Sequence, residues 1–171
     1  NIGVMSVDEY VHWRVPVQPA VVTSSMEQRV RSIYADGGGI FCYTALQKAW
    51  DTLKGAETPL KHVILFSDAA DAEEQVKGIV FGWGPGPNSY DLAKGMVADD
   101  TTVSAIGIGS HHDADTNFLR NLARHGKGRF HITSDANKLT KLFVEETQQL
   151  LQERLREDPF TARVAKPHPA F

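Results

Sequence analysis

Along the chain, short unbroken apolar runs alternate with stretches whose apolar residues recur every three or four positions. The first pattern predicts strands and the second helices facing a core. Residues 2–7 and 10–17 predict two strands joined by a tight turn at Asp8-Glu9, and Pro16 and Pro19 assign the second to an edge. Ser24-Ser25 precede Met26, Val30, Ile33 and Tyr34, a helical spacing that Gly37-Gly38-Gly39 interrupt. Ala45, Leu46, Ala49, Trp50 and Leu53 form the stripe of a second helix, stopped by Gly55 and Pro59. Lys61-His62 then open the run Val63-Ile64-Leu65-Phe66, which ends at Ser67-Asp68. A run with no polar alternation predicts a strand covered on both faces.

The Gly- and Pro-rich segment Phe81 to Asn88 predicts an exposed excursion. Tyr90 to Ala98 predicts a short helix, and residues 102–108 a second buried strand that empties into His111-His112-Asp113-Ala114-Asp115. Phe118, Leu119, Leu122 and Ala123 mark a helix whose end is flanked by Gly126 and Gly128, followed by a short strand at 130–133. Ser134-Asp135 cap a last helix with the stripe Leu139, Leu142, Phe143, Leu150 and Leu151. Strands alternating with helices predict an α/β, Rossmann-like, mainly parallel sheet flanked by helices, with an antiparallel edge strand. One domain spans residues 1–157, and the Pro-containing, basic segment 158–171 reads as a linker to a following domain. Opening directly on an apolar strand suggests a piece of a longer protein.

With 171 residues, 42% hydrophobic and 23% charged, the chain has the composition of a single soluble domain. A net charge of -3 and the lack of a basic block argue against nucleic acid as partner. Arg120, Arg124, Lys127 and Arg129 read as a solvated helix face running into a turn. A single cysteine, Cys42, permits no internal disulfide and reads as a structural thiol. No apolar run reaches the roughly 18 residues of a membrane span, and no signal peptide is visible.

Chemistry in open α/β sheets gathers at the carboxyl ends of the strands, which singles out Asp68. The simpler role for Asp68 is a helix N-cap. Gly37-Gly38-Gly39 invites a phosphate cradle, but it follows a helix and lacks the Lys-Ser/Thr ending of a P-loop. His111, His112, Asp113 and Asp115 are metal-ligand types at close spacing, although either Asp serves equally as an N-cap. Asp71, Glu73 and Glu74 suit the first turn of a helix, where the dipole favours acids.

The order of these pieces resembles a von Willebrand factor type A domain. The carriers are Gly37-Gly38-Gly39 before Ala45-Leu46, Lys61 to Asp68, Val103 to Gly109, Phe118 to Ala123, and Gly126-Lys127-Gly128-Arg129-Phe130. Phe66 to Glu74, with Glu157-Asp158-Pro159-Phe160 and Val164 to Pro169, looks like a narrower group: large bacterial membrane proteins that also carry a glutamine-amidotransferase-like domain. The resemblance implies a metal-ion-dependent adhesion site, of which Asp68 is a remnant. The position matching the family's Thr carries Ile40, the usual Gly after the Asp is Ala69, and the Asp-x-Ser-x-Ser loop is absent. A hard cation takes about six oxygen ligands, so no cofactor is expected and Mg²⁺ at most weakly. The implied function is a protein-protein interaction module and not an enzyme, with a surface of Gly38, Gly39, Ile40, Asp68, Asp71, Glu73, His111, His112 and Asp113. Its parent is implied to be membrane-anchored. The alternative is a catalytic or receiver-like domain using Asp68. The resembled fold orders its strands 3-2-1-4-5-6, placing a strand between 2–7 and 62–67 that is missing here. Either the two halves pair directly, or another chain inserts a strand, or upstream residues outside the given sequence supply it; the favoured expectations are direct pairing or exchange of a strand within a homodimer.

Overall fold

Six of the eight residues of Thr101–Ile108 are buried, and the rest of the fold is layered around this strand. The computed structural model describes residues 1–34, 40–68, 88–110 and 116–154. In chain order these form β1 (Ile2–Val7), β2 (Val11–Gln18), α1 (Ser24–Arg31), α2 (Cys42–Leu53), β3 (Lys61–Ser67), α3 (Ser89–Ala98), β4 (Thr101–Ile108), α4 (Thr116–His125), β5 (Lys127–Thr133) and α5 (Leu139–Arg154). A parallel sheet runs β3-β4-β5, and β1 and β2 form a separate antiparallel sheet. This is the expected α/β architecture, with the antiparallel element set apart from the main sheet.

Side chains alternate across a strand, and the two faces of the parallel sheet bury different chemistry. Val63, Leu65 and Val103 face Leu46 of α2, Leu92, Ala93 and Met96 of α3, and Leu122 of α4. Ala105 packs on Leu119 and Ala123 of α4. α2 buries Cys42, Ala45, Leu46 and Ala49, one stripe at helical spacing. α3 starts where the Asn88 side chain accepts from the amides of Tyr90 and Asp91, at 2.9 and 3.1 Å. Trp50 Nε1 donates to Asp99 Oδ2 at 2.9 Å, tying α2 to the end of α3. The other face carries α5, with Phe66 and Phe143 rings 6.0 Å apart.

Several expectations are corrected. The apolar run at 63–66 predicts a strand covered on both faces, which holds, but among the described residues β3 is an edge of its sheet, so Lys61 to Leu65 are only half-buried and Phe66 is 43% exposed. Helices lie on both of its faces, which explains the unbroken run, and among the described residues only β4 pairs with it. Residues 2–7 do not pair with 61–67: the Phe41 amide donates to the Asp8 carbonyl at 3.0 Å, which holds the hairpin against the start of α2. α1 buries none of its residues and ends before Ile33 and Tyr34, so its stripe faces no core here. The last strand begins at Lys127, not 130, because Gly126 and Gly128 let it approach Val103 rather than merely end a helix. Asp135 caps the short 3-10 turn Ala136–Lys138, and α5 follows from it. The expected excursion at 81–88 (all but Asn88) and the linker 158–171 lie outside the described residues.

The glycines of β5 supply a sharp test. A Cβ on Gly128 would collide with the Val103 carbonyl oxygen and meet Ser104 Oγ at 2.5 Å, whereas one on Gly55 meets nothing within 4 Å. Gly128→Ala should destabilise by about 1–3 kcal/mol or more, and Gly55→Ala should leave stability within about 1 kcal/mol of the parent. Urea midpoints of the two variants check this ranking.

Candidate functional site: a carboxyl edge above a buried carboxylate

Parallel strands share one direction, so β3, β4 and β5 deliver Ser67-Asp68, Ile108-Gly109 and Thr133 to the same edge of the sheet. Asp68 is exposed there. Gly109 turns the chain with φ 151°, a conformation that L side chains rarely adopt, and its amide donates to the Thr133 carbonyl at 2.9 Å. Thr116, buried at the start of α4, donates from Oγ1 to the Ser110 carbonyl at 2.9 Å. On the hairpin side, Asp8 Oδ1 accepts from the Tyr10 amide at 2.6 Å while its carbonyl holds Phe41, next to half-buried Ile40. Of the expected surface, Ile40 and Asp68 are therefore placed. Gly38, Gly39, Asp71, Glu73, His111, His112 and Asp113 lie outside the described residues.

Among the described residues, no group of three His, Cys, Asp or Glu side chains could hold a metal ion. Asp68 brings one carboxylate, and the Ile40 side chain has no oxygen to add. Among the described residues this donor set falls short of the several oxygens that a hard divalent cation takes. Cys42, first residue of α2, is fully buried.

The polar cluster that does assemble lies on the α5 face and went unread in the sequence. Glu146 is wholly buried and accepts from Ser104 Oγ at 2.6 Å, Arg129 Nε at 2.9 Å, Arg129 Nη2 at 3.2 Å and His131 Nε2 at 2.7 Å. His62 Nε2 lies 3.5 Å away, and its Nδ1 is 2.6 Å from Thr102 Oγ1. Arg129 thus belongs to a buried ion pair and not to a solvated helix face. Burial pushes the Glu146 carboxyl up, but hydrogen bonds from Arg129, Ser104 and His131 and the guanidinium charge outweigh it and hold the group below its ordinary 4.5. Ser104 Oγ also accepts from the Arg129 amide at 2.8 Å, so its donor is spent on Glu146 and it has no path to a substrate. The signal was periodicity: Glu146 lies three residues after Phe143 and four before Leu150, on the apolar face of its helix.

No family model matches the chain, and no curated protein matches it in sequence. Solved structures do. A domain described as von Willebrand factor type A from Catenulispora acidiphila superposes with TM-score 0.61 at 23% identity, over 87% of this chain and 33% of that one. The fold is that of a von Willebrand factor type A domain. Proximal thread matrix protein 1 from the mussel byssus, in a form with a zinc-occupied MIDAS motif, gives 0.62 at 16% identity over 86% of this chain and 34% of its own. An aerotolerance-related membrane protein from Bacteroides fragilis gives 0.59 at 13% identity, over 86% of this chain and 78% of that one. The chain thus spans about a third of two of these relatives and about three quarters of the third. No helix among its described residues is long and apolar enough to cross a membrane.

The von Willebrand factor type A core shown here should depend on Glu146. Glu146→Ala leaves Arg129 and His131 facing a void and should cost about 3–5 kcal/mol. A carboxyl whose folded pKa lies below 4.5 adds stability that is complete above 4.5 and lost as pH falls through the folded value. Urea midpoints should therefore drop below pH 4.5 in the parent, and the drop should be shallower in Glu146→Gln, which has no charge to lose.

Proposed function

We propose that this von Willebrand factor type A module binds a protein partner through its carboxyl edge, with Asp68 as the acidic centre, and that it is not an enzyme. One observation carries the reading. Asp68 is the exposed carboxylate at the end of β3, whereas the assembled cluster of Glu146, Ser104, Arg129 and His131 is enclosed beneath α5. An exposed acid on a rigid strand end suits recognition, and an enclosed cluster suits structure. The adhesion site is degenerate in this reading: Ile40 and a single carboxylate stand where a hard cation needs several oxygens, so partner binding requires neither Mg²⁺ nor another cofactor. The membrane-protein relative from Bacteroides fragilis supports a larger, bacterial, membrane-associated parent.

A photo-reactive amino acid at position 68 should cross-link a defined protein in native membranes with or without EDTA, and the same group at Arg124 on α4 should not. Cross-linking abolished by EDTA, with micromolar Mg²⁺ binding by calorimetry that Asp68→Ala removes, would refute the degenerate site. The exposed Asp68 at a strand end also admits the receiver-like reading. Acetyl phosphate should leave the chain unmodified, and an acyl-phosphate at Asp68 by mass spectrometry would replace the interaction module with that reading.

A further inference from the structure

The stretch from Thr116 to Thr133 covers α4 and β5 and contains no Asp or Glu. All 21 acids lie elsewhere, so a chain of net charge -3 concentrates Arg120, Arg124, Lys127 and Arg129 in one acid-free layer. Glu146 neutralises Arg129 on the α5 side. The other three are exposed. Leu119, Leu122 and Ala123 turn one face of α4 to the core, so Arg120 and Arg124, four residues apart, share the outer face. On neighbouring α3, Asp91 is taken by Lys94 at 2.7 Å.

β5 brings Lys127 to the same side. Its register shift sets Lys127 opposite Val103 and Phe130 opposite Ala105, and both of those β4 residues face α4. Unbroken alternation would have placed Lys127 with Arg129 and His131 on the α5 side; irregularities of this kind re-aim side chains. Lys127 also holds φ at 51°, a left-handed conformation that glycine adopts readily and a lysine does not. The Arg120 guanidinium lies 5.3 Å over the Phe130 ring, which draws it towards β5.

We propose that this α4–β5 face docks on anionic lipid headgroups through Arg120, Arg124 and Lys127. None of the exposed large apolar side chains lies between 116 and 133. A protein interface has an apolar or aromatic centre, whereas a plane of anionic headgroups attracts cations alone. Each residue adds about five-fold to the partition coefficient, so three hold the surface weakly. Arg124 and Lys127 flank the start of β5, at the opposite end of the sheet from Asp68. Docking there turns the carboxyl edge away from the bilayer and towards a partner. That orienting role rests on the membrane-associated parent proposed above; the binding itself does not.

Co-sedimentation with vesicles tests the proposal. At low ionic strength the chain should pellet with phosphatidylglycerol–phosphatidylcholine vesicles and stay in solution with phosphatidylcholine alone. Salt at about 1 M, which shortens the screening length to about 3 Å, should release it. Arg124→Gln should lower the partition coefficient about five-fold with an unchanged circular dichroism spectrum. Lys141→Gln, on exposed Lys141 of α5, should leave it unchanged although the net charge changes equally. Lys127→Gly should weaken binding while its urea midpoint holds or rises, a split that a purely structural lysine would not give. A chain that fails to pellet with the anionic vesicles overturns the proposal and leaves the reading of the parent untouched. Equal losses in Arg124→Gln and Lys141→Gln, or tighter binding to duplex DNA than to the vesicles, overturn it too.

Discussion

A single carboxylate decides where the last helix sits. Glu146 is the one buried residue among those described in α5, while the helix's apolar positions Leu139, Leu142, Phe143 and Leu150 are only half-buried. Its partners come from β4 and β5, with His62 of β3 close by, so one side chain registers the helix against the whole parallel sheet. Apolar contact tolerates sliding; a fork of directed hydrogen bonds does not. The net stability such a pair adds over an apolar core is small. What it supplies here is position, and position matters because the chain enters α5 from Asp135, close to the carboxyl edge.

The same cluster accounts for Ser104 in β4. Thr101, Ser104, Ala105 and Gly107 put small or hydroxylated side chains in the middle strand. Ser104 bridges the Glu146 carboxylate and the Arg129 amide, and β5 can come that close because Gly126 and Gly128 have no Cβ. The apolar layer on the opposite face is conventional by comparison. Interlocking helices there bury Leu46, Met96 and Leu122 completely.

Period-based patterns made the elements legible: every strand and helix expected within the described residues is present, and the stripes of α2 and α4 are the buried ones. Pairing was legible only where the sequence carries a local cue, as in the hairpin around Asp8-Glu9. Whether Val63 to Phe66 is interior or edge depends on a neighbour that a strand's own residues do not specify, since helices on both faces demand the same apolar run. Periodicity places Glu146 on the apolar face of its helix, but its partner Arg129 was unreadable for a related reason. Arg129 looks solvated by type, and only the folded sheet reveals that it and Glu146, 17 positions apart, form one ion pair. Asp68 was legible because its meaning is local: an acid directly after a strand.

The hairpin of β1 and β2 shares no backbone ladder with the parallel sheet, and α2 packs against both. Among the described residues, cooperativity between the two sheets passes chiefly through side chains of α2 and the Phe41–Asp8 hydrogen bond. Such an arrangement divides the molecule into units of unequal opening free energy. The hairpin can unzip while β4 and its helices stay closed, so its amide protons report a local equilibrium and those of β4 report global unfolding. A ligand gripping both Asp8 and Asp68 would close that gap, turning two weakly coupled units into one.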